Sequence, residues 1–313
     1  MKMGNSMTEK EYRSHPALSR SELWQFHKSA EWFKWKKDHP SEPTPALLFG
    51  QVAHKLLLEP EDFDTDFAVA PVVDKRTKVG KEMWAQFCAD ADGKTVVDAD
   101  IYEQCMAMVS VARLNPLVNE LLKGHHEEPF FWTDPDTGVQ CKARLDSWHR
   151  DENGIPVVVD FKTTTDASYR GFQRDVQSYG YFFQAAMYSE GLIQNGLCPR
   201  RIKEKPKRRW QKDPDTGKRK YWTEYPERIV MDGTEGEIIH PRFIFIVQEK
   251  TEPYSVNVFE MDMDYMAVGY DLYREYLGTY VSCESLDVWP GYLGPMNEPN
   301  ILSLPSWLGR SEE

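Results

Sequence analysis

Val157-Val158-Val159 runs directly into Asp160-Phe161-Lys162, and this junction restricts the fold more than any other part of the 313-residue chain. β-Branched side chains crowd a helix and fit a pleated strand. The run from Ile155 to Lys162 therefore reads as a buried strand, apolar until Asp160. Alternation puts Val158, Asp160 and Lys162 on one face and Val157, Val159 and Phe161 on the other. A carboxylate and an ammonium at the end of such a strand need compensation. A metal ion on Asp160 and a hydrated cleft around Lys162 would supply it.

The neighbouring segments supply partners. Glu128 to Thr133 and Gln140 to Trp148 are strand-like and flank Asp134-Pro135-Asp136-Thr137-Gly138, a strong turn sequence. Asp146 can stand beside Asp160 if their strands pair. Upstream, residues 1–14 are polar and expected to be mobile. Ser19 and Glu22 have capping-box spacing and Leu18 with Leu23 can staple the turn, predicting a helix through Trp24 and Phe26 toward Trp35. His39 to Pro45 reads as a loop. Ala46 to Leu58 is a second helix, stopped by Pro60, with Gly50 and His54 on one face. Residues 61–80 look irregular, and 81–89 and 99–123 are helical by pattern. A long helix is expected from about Tyr169 to Gln194. Strands at Arg242 to Gln248 and Tyr254 to Phe259 and a helix at about Asp264 to Tyr280 follow. This order predicts an α/β fold, a central mixed sheet flanked by helices. Residues 1–45 are expected to form an N-terminal helical segment ahead of one domain at 46–313.

Two carboxylates sharing one Mg2+ with several waters suit phosphodiester hydrolysis, because the ion polarises the phosphoryl oxygen and acidifies a bound water. A nearby lysine can orient that water or stabilise developing charge. The chain has no G-x-x-x-x-G-K-[ST], no G-x-S-x-G and no H-E-x-x-H, so P-loop, serine-elbow and zincin chemistries are not expected.

The Asp…Asp-x-Lys pattern resembles the PD-(D/E)XK nuclease superfamily, with its restriction-endonuclease-like core. Gly50-Gln51-Val52-Ala53-His54, Lys142-Ala143-Arg144-Leu145-Asp146, Val159-Asp160-Phe161-Lys162-Thr163-Thr164, Gln184-Ala185-Ala186-Met187-Tyr188 and Leu302-Ser303-Leu304-Pro305-Ser306-Trp307 resemble the exonuclease VIII (RecE-type) branch and its phage relatives. The resemblance spans about residues 15–309. It implies that Asp146, Asp160, His54 and the Phe161 carbonyl bind metal, Mg2+ with Mn2+ as substitute, and that Lys162 is catalytic. Glu128 is the implied upstream acid, with Glu127 an adjacent competitor. Gln184 and Tyr188 are implied to contact DNA near the scissile phosphate. By the same resemblance, the activity is exonucleolytic digestion of double-stranded DNA ends, 5′ to 3′, leaving a 3′ strand for recombination. A RecT-type single-strand annealing protein is the implied partner and a homo-oligomeric ring the implied assembly. An endonuclease of the same superfamily and a non-catalytic DNA-end-binding protein are the alternatives.

Charge distribution singles out one further segment. The chain carries −12 overall, but Arg200 to Lys220 hold eleven Lys/Arg against three Asp/Glu, so this stretch is +8 and the rest −20. A second Asp-Pro-Asp-Thr-Gly turn at Asp213 to Gly217 predicts a projecting hairpin, an insertion at about 200–225. Lys207, Arg208, Arg209, Lys218, Arg219 and Lys220 are its candidate DNA contacts, expected to hold phosphates beside the cleft. Trp210, Tyr221 and Trp222 are candidates to stack on unpaired bases. The five cysteines form no C-x-x-C pair and read as free thiols in a reducing compartment. No apolar stretch reaches the ~20 residues of a membrane span, and Met1 to Lys10 lacks a signal-peptide core. A cytoplasmic protein is expected, with no membrane partner.

Overall fold

The computed structural model describes residues 7–40, 44–231, 235–293 and 302–303; the Leu302 to Trp307 motif lies, beyond Ser303, outside them. Thr8 and Glu11 close a capping box on α1 (Glu9–Ser14), so the expectation of a mobile terminus fails from there onward. Lys142 holds α1 in place, its ammonium donating to the carbonyls of Tyr12, Arg13 and His15 at 2.7–3.3 Å. After β1 (Leu18–Ser19), Ser19 and Glu22 form the anticipated box on α2 (Arg20–Leu23). The helix does not continue to Trp35. Ser29 takes an extended conformation and its side chain accepts from the Trp32 amide, which starts α3 (Ala30–Asp38) afresh. Thr44 caps α4 (Pro45–Leu58), with Pro45 in the first turn, where its missing N–H is harmless.

The segment from 61 to 80 contains α5 (Phe63–Asp66), β2 (Phe67–Val69) and the start of α6 (Lys78–Asp90); β2 pairs in parallel with β3 (Thr95–Val97). Asn115 and Pro116 divide the expected 99–123 helix into α7 (Ala99–Arg113) and α8 (Pro116–Leu121). Then come β4 (His125–Thr133), β5 (Gln140–Arg150) and β6 (Pro156–Thr164). The expected Tyr169–Gln194 helix is two, α9 (Tyr169–Tyr179) and α10 (Tyr181–Gln194). They are joined by Gly180 at φ 64°, where an added Cβ would lie 2.4 Å from the Trp24 ring. A side chain is penalised there on both counts.

Strands β7 (Arg200–Lys203), β8 (Lys207–Lys212), β9 (Arg219–Glu224), β10 (Glu227–Val230) and β11 (Glu237–Ile238) form two small sheets, order β10-β7-β11 and the hairpin β8-β9. The chain returns through β12 (Arg242–Glu249) and β13 (Val256–Glu260) to α11 (Met263–Leu286).

Among the described residues six strands form the central sheet, β1-β5-β6-β12-β13 with β4 also on β5. β5–β6 and β12–β13 are antiparallel and β6–β12 parallel, so the sheet is mixed. Its two faces feed two cores. Val158, Phe243, Phe245 and Val247 pack with α10, α11 and the N-terminal residues Leu18, Leu23, Phe26 and Phe33. Val157, Val159, Phe161, Ile244 and Ile246 pack with α4, α7 and α8. Residues 18–33 thus share a core with α10 and α11. The architecture is helix layer, mixed sheet, helix layer. No described helix is long and apolar enough to cross a membrane.

Candidate active site

The site grows from a fork in the sheet. Pairing between β5 and β6 runs from Arg150↔Pro156 to Ser147↔Val159 and stops. The next step of that register sets Asp146 opposite Asp160. Beyond it β5 leaves β6 and pairs with β1 at Cys141 and Lys142. Asp146 fills the opening, its Oδ2 accepting the Phe161 amide at 2.8 Å. Amide and carbonyl of one residue point to the same side of an extended strand. The Phe161 carbonyl therefore also faces the β5 side of the fork.

Both helix layers reach this point. From α4, His54 brings Nδ1 to 3.3 Å from Asp146 Oδ2 and sets its ring edge-on to Phe161. From α10, the Gln184 amide donates to Asp160 Oδ1. Gln184 is only 5% exposed; it lies on the buried face of α10, against the site carboxylate Asp160. Tyr188, one turn on, is half-buried and near enough for Asp160 and Asp146 to add to the effect of burial, which holds its hydroxyl protonated far above the usual range.

Register also separates the two glutamates. Thr133↔Gln140 through His125↔Trp148 keep one alignment, which sets Glu127 opposite Asp146 and Glu128 opposite Leu145. Opposed residues share a face. Glu127, at φ 50°, accordingly joins His54 and Asp146, with one ligand atom from each within 4.8 Å of the others. Glu128 turns away and accepts the Trp148 indole N–H at 2.6 Å. The expectation for Glu128 is thus corrected to Glu127.

The electrostatics are those of crowded carboxylates. Burial pushes Glu127 well above the usual carboxylate range, Asp146 and Glu59 add to it, and Lys55 pulls the other way; Arg144 Nε lies 2.8 Å from its carboxylate. Burial also raises Asp160. Lys162 Nζ sits 2.5 Å from Asp160 Oδ2 and 4.8 Å over the Tyr181 ring. Burial alone disfavours its charge, but Asp160, Tyr181 and Asp146 together more than offset this, so Lys162 remains an ammonium. An ammonium donates and stabilises anions; it is not a base. Arg20, from α2, donates to the Gly180 carbonyl at 2.9 Å and to that of Tyr179; burial lowers its pKa, which Tyr188, Tyr181 and Asp160 only partly offset. Neither Arg20 nor Arg144 was singled out in the sequence, although Arg144 is two residues from Asp146 on one strand.

This donor set fits a divalent cation. Ligand atoms within 4.8 Å of one another are close to the span of two metal–ligand bonds of about 2.0–2.3 Å. Lys162 is already paired with Asp160 Oδ2, and the acidic groups of Glu127 and Asp146 this close together call for a further counter-ion. His54, Glu127 and Asp146 would hold the ion, with Asp160 and the Phe161 carbonyl at its edge.

The six hairpin cations are not brought to this site. They lie exposed on β8–β9 and its turn. Met231, just past β10, packs at Gly154 in the β5–β6 turn. The base of the insertion is thus anchored at the opposite end of β6 from Lys162, roughly 20 Å away at ~3.3 Å per residue.

A mixed sheet between helix layers, forked at facing aspartates with a lysine two residues on, is the PD-(D/E)XK-like nuclease fold. The chain belongs to the family described as PDDEXK-like domain of unknown function (DUF3799), whose model matches residues 19–202. Among solved structures, that of a candidate exonuclease from Eubacterium rectale aligns with TM-score 0.55 and 14% identity, covering 96% of each chain. At that identity the likeness is one of fold. The structure of SSO0001 aligns with TM-score 0.34 and 11% identity over 86% of this chain and 81% of that one. None of the curated proteins matches the sequence significantly.

Proposed function

We propose that this chain is a metal-dependent deoxyribonuclease that digests the ends of linear double-stranded DNA. The observation that carries the reading is the convergence of His54, Glu127 and Asp146 at the β5–β6 fork, with Lys162 paired to Asp160 beside them. A bound divalent cation supplies Lewis acidity and an acidified water. Lys162, as an ammonium, meets the charge that builds on the phosphate; Gln184 holds Asp160 in place. An imidazole among carboxylates widens the choice of metal beyond Mg2+ toward Mn2+.

The motif resemblance to RecE-type exonucleases supports the finer reading: 5′ to 3′ polarity, a 3′ single-stranded product, a strand-annealing partner of RecT type and a ring that encircles DNA. The test compares linear, nicked and closed circular DNA with Mg2+, Mn2+ or EDTA, and linear DNA with one 5′ end blocked. The expected result is loss of linear DNA alone, from the open 5′ end, with either metal and not with EDTA. Lys162→Ala should lose at least a hundredfold in rate while calorimetry shows metal affinity kept. Cutting of closed circles would overturn the exonuclease assignment, and full activity in EDTA the metal assignment.

A further inference from the structure

The β8–β9 hairpin has two chemically different faces, and only the structure separates them. Its register pairs Trp210 with Tyr221, Arg208 with Thr223 and Lys212 with Arg219. These residues alternate with Lys207, Arg209, Gln211, Lys220, Trp222 and Glu224, which face the other way. The first face carries three cations, two aromatic rings and no acid. On the second, Arg209 is spent on Glu224 at 2.6 Å.

The first face is also ordered from within. The Arg219 guanidinium lies 4.4 Å over Trp210 and that of Arg208 4.6 Å over Tyr221, crossed pairs along the ladder. The rings are nevertheless about half exposed, Trp210 at 53% and Tyr221 at 48%. Half-exposed aromatics have not been placed there to fill a core. The turn is hydrogen-bonded too: Asp213 Oδ1 accepts the Asp215 and Thr216 amides at 3.0 and 2.8 Å, and Gly217 closes it at φ 66°.

We propose that the face made by Arg208, Trp210, Lys212, Arg219 and Tyr221 is a binding site for single-stranded nucleic acid. Flat rings and guanidinium planes offer stacking to unpaired bases, and the flanking cations meet the phosphates between them. A duplex hides its base faces and would leave both rings unused; an acidic protein would need the cations alone. The inference rests on the nuclease reading only for the origin of the strand.

Binding of the full-length protein to labelled oligo-dT in EDTA tests this without cleavage. Trp210→Ala with Tyr221→Ala should weaken binding at least tenfold, since each stacked base contributes about 1–3 kcal/mol. Trp210→Phe with Tyr221→Phe should restore most of it, which separates stacking from collapse of the hairpin. Trp222→Ala, on the other face, should change affinity less than twofold. Arg208, Lys212 and Arg219 changed together to Ser should flatten the salt dependence of log K by about 2, at ~0.7 per phosphate contact. Equal losses from both faces, loss of duplex binding with oligo-dT binding intact, or no loss at all would each overturn the proposal. Cleavage by the unaltered protein, assayed separately, reports on the nuclease reading alone.

Discussion

Glu127 and Glu128 are chemically identical neighbours, and the fold gives them opposite fates. Glu127→Gln should reduce metal-dependent cleavage at least a hundredfold and weaken Mn2+ binding in calorimetry, because it removes a charge from the cluster. Glu128→Gln should change activity less than threefold, since its carboxylate serves Trp148. Asp160, Lys162 and Asp146 were legible from the sequence because period-two alternation is a local property. The choice between the glutamates depends on register across the turn, which alternation alone does not supply. Once the Asp134–Gly138 turn sets Thr133 against Gln140, counting six residues along each strand brings Glu127 to Asp146. The packing of Gln184 against Asp160 was not legible for a related reason: a helical stripe does not say which neighbour it faces. The crowding has a pH signature. Burial raises Glu127 above its unfolded value, so its protonation stabilises the fold fully at pH below the ordinary glutamate range. That contribution is lost as pH rises through the raised value. The metal-free protein should therefore melt lower at pH 8 than at pH 5 in calorimetric scans. Glu127→Gln should flatten the difference, and added Mn2+ should raise the midpoint more at pH 8, where fewer protons must leave the ligands for the ion to bind.

At the scale of elements, the departures from expectation are breaks. Periodicity runs through Gly180 without interruption, so the α9–α10 junction was invisible until Trp24 was seen against it. Ser29 and Asn115 break helices likewise, through side chains that are ordinary in a helix until they find an amide to cap. Strands β2, β3, β7, β10 and β11 are two to four residues long, too short for a pattern, and exist because a distant segment pairs with them. The Gly180 junction positions the site, because α10 begins there and Gln184 is four residues on. Gly180→Ala should cost about 1–3 kcal/mol in urea unfolding, from the left-handed backbone and the contact with Trp24. Its cleavage rate should fall as well, through the loosened Gln184–Asp160 hydrogen bond. A stable protein with unchanged rate would show that α10 tolerates a different entry angle.

For the molecule as a whole, layers and sheet were legible, because apolar periodicity reports burial. The attachment of the N-terminal residues and the placement of the basic hairpin were not, since both depend on contacts between segments far apart in sequence. The hairpin contributes to neither core. Its ends meet where the Glu204 amide donates to the Pro226 carbonyl at 2.8 Å. Replacing residues 205–225 by a two-residue glycine turn should shift the melting midpoint by less than about 3 °C; a larger loss would mean that the insertion braces the domain. The fork has a mechanical consequence. His54 stands on one helix layer and Gln184 on the other, and both close on the strands that separate those layers. A cation held there would work as a gauge of the gap between two slabs. Overfilling or hollowing either core, even far from the fork, would open or tilt the jaws by tenths of an ångström. Such changes would register as a higher metal requirement well before the fold itself gave way.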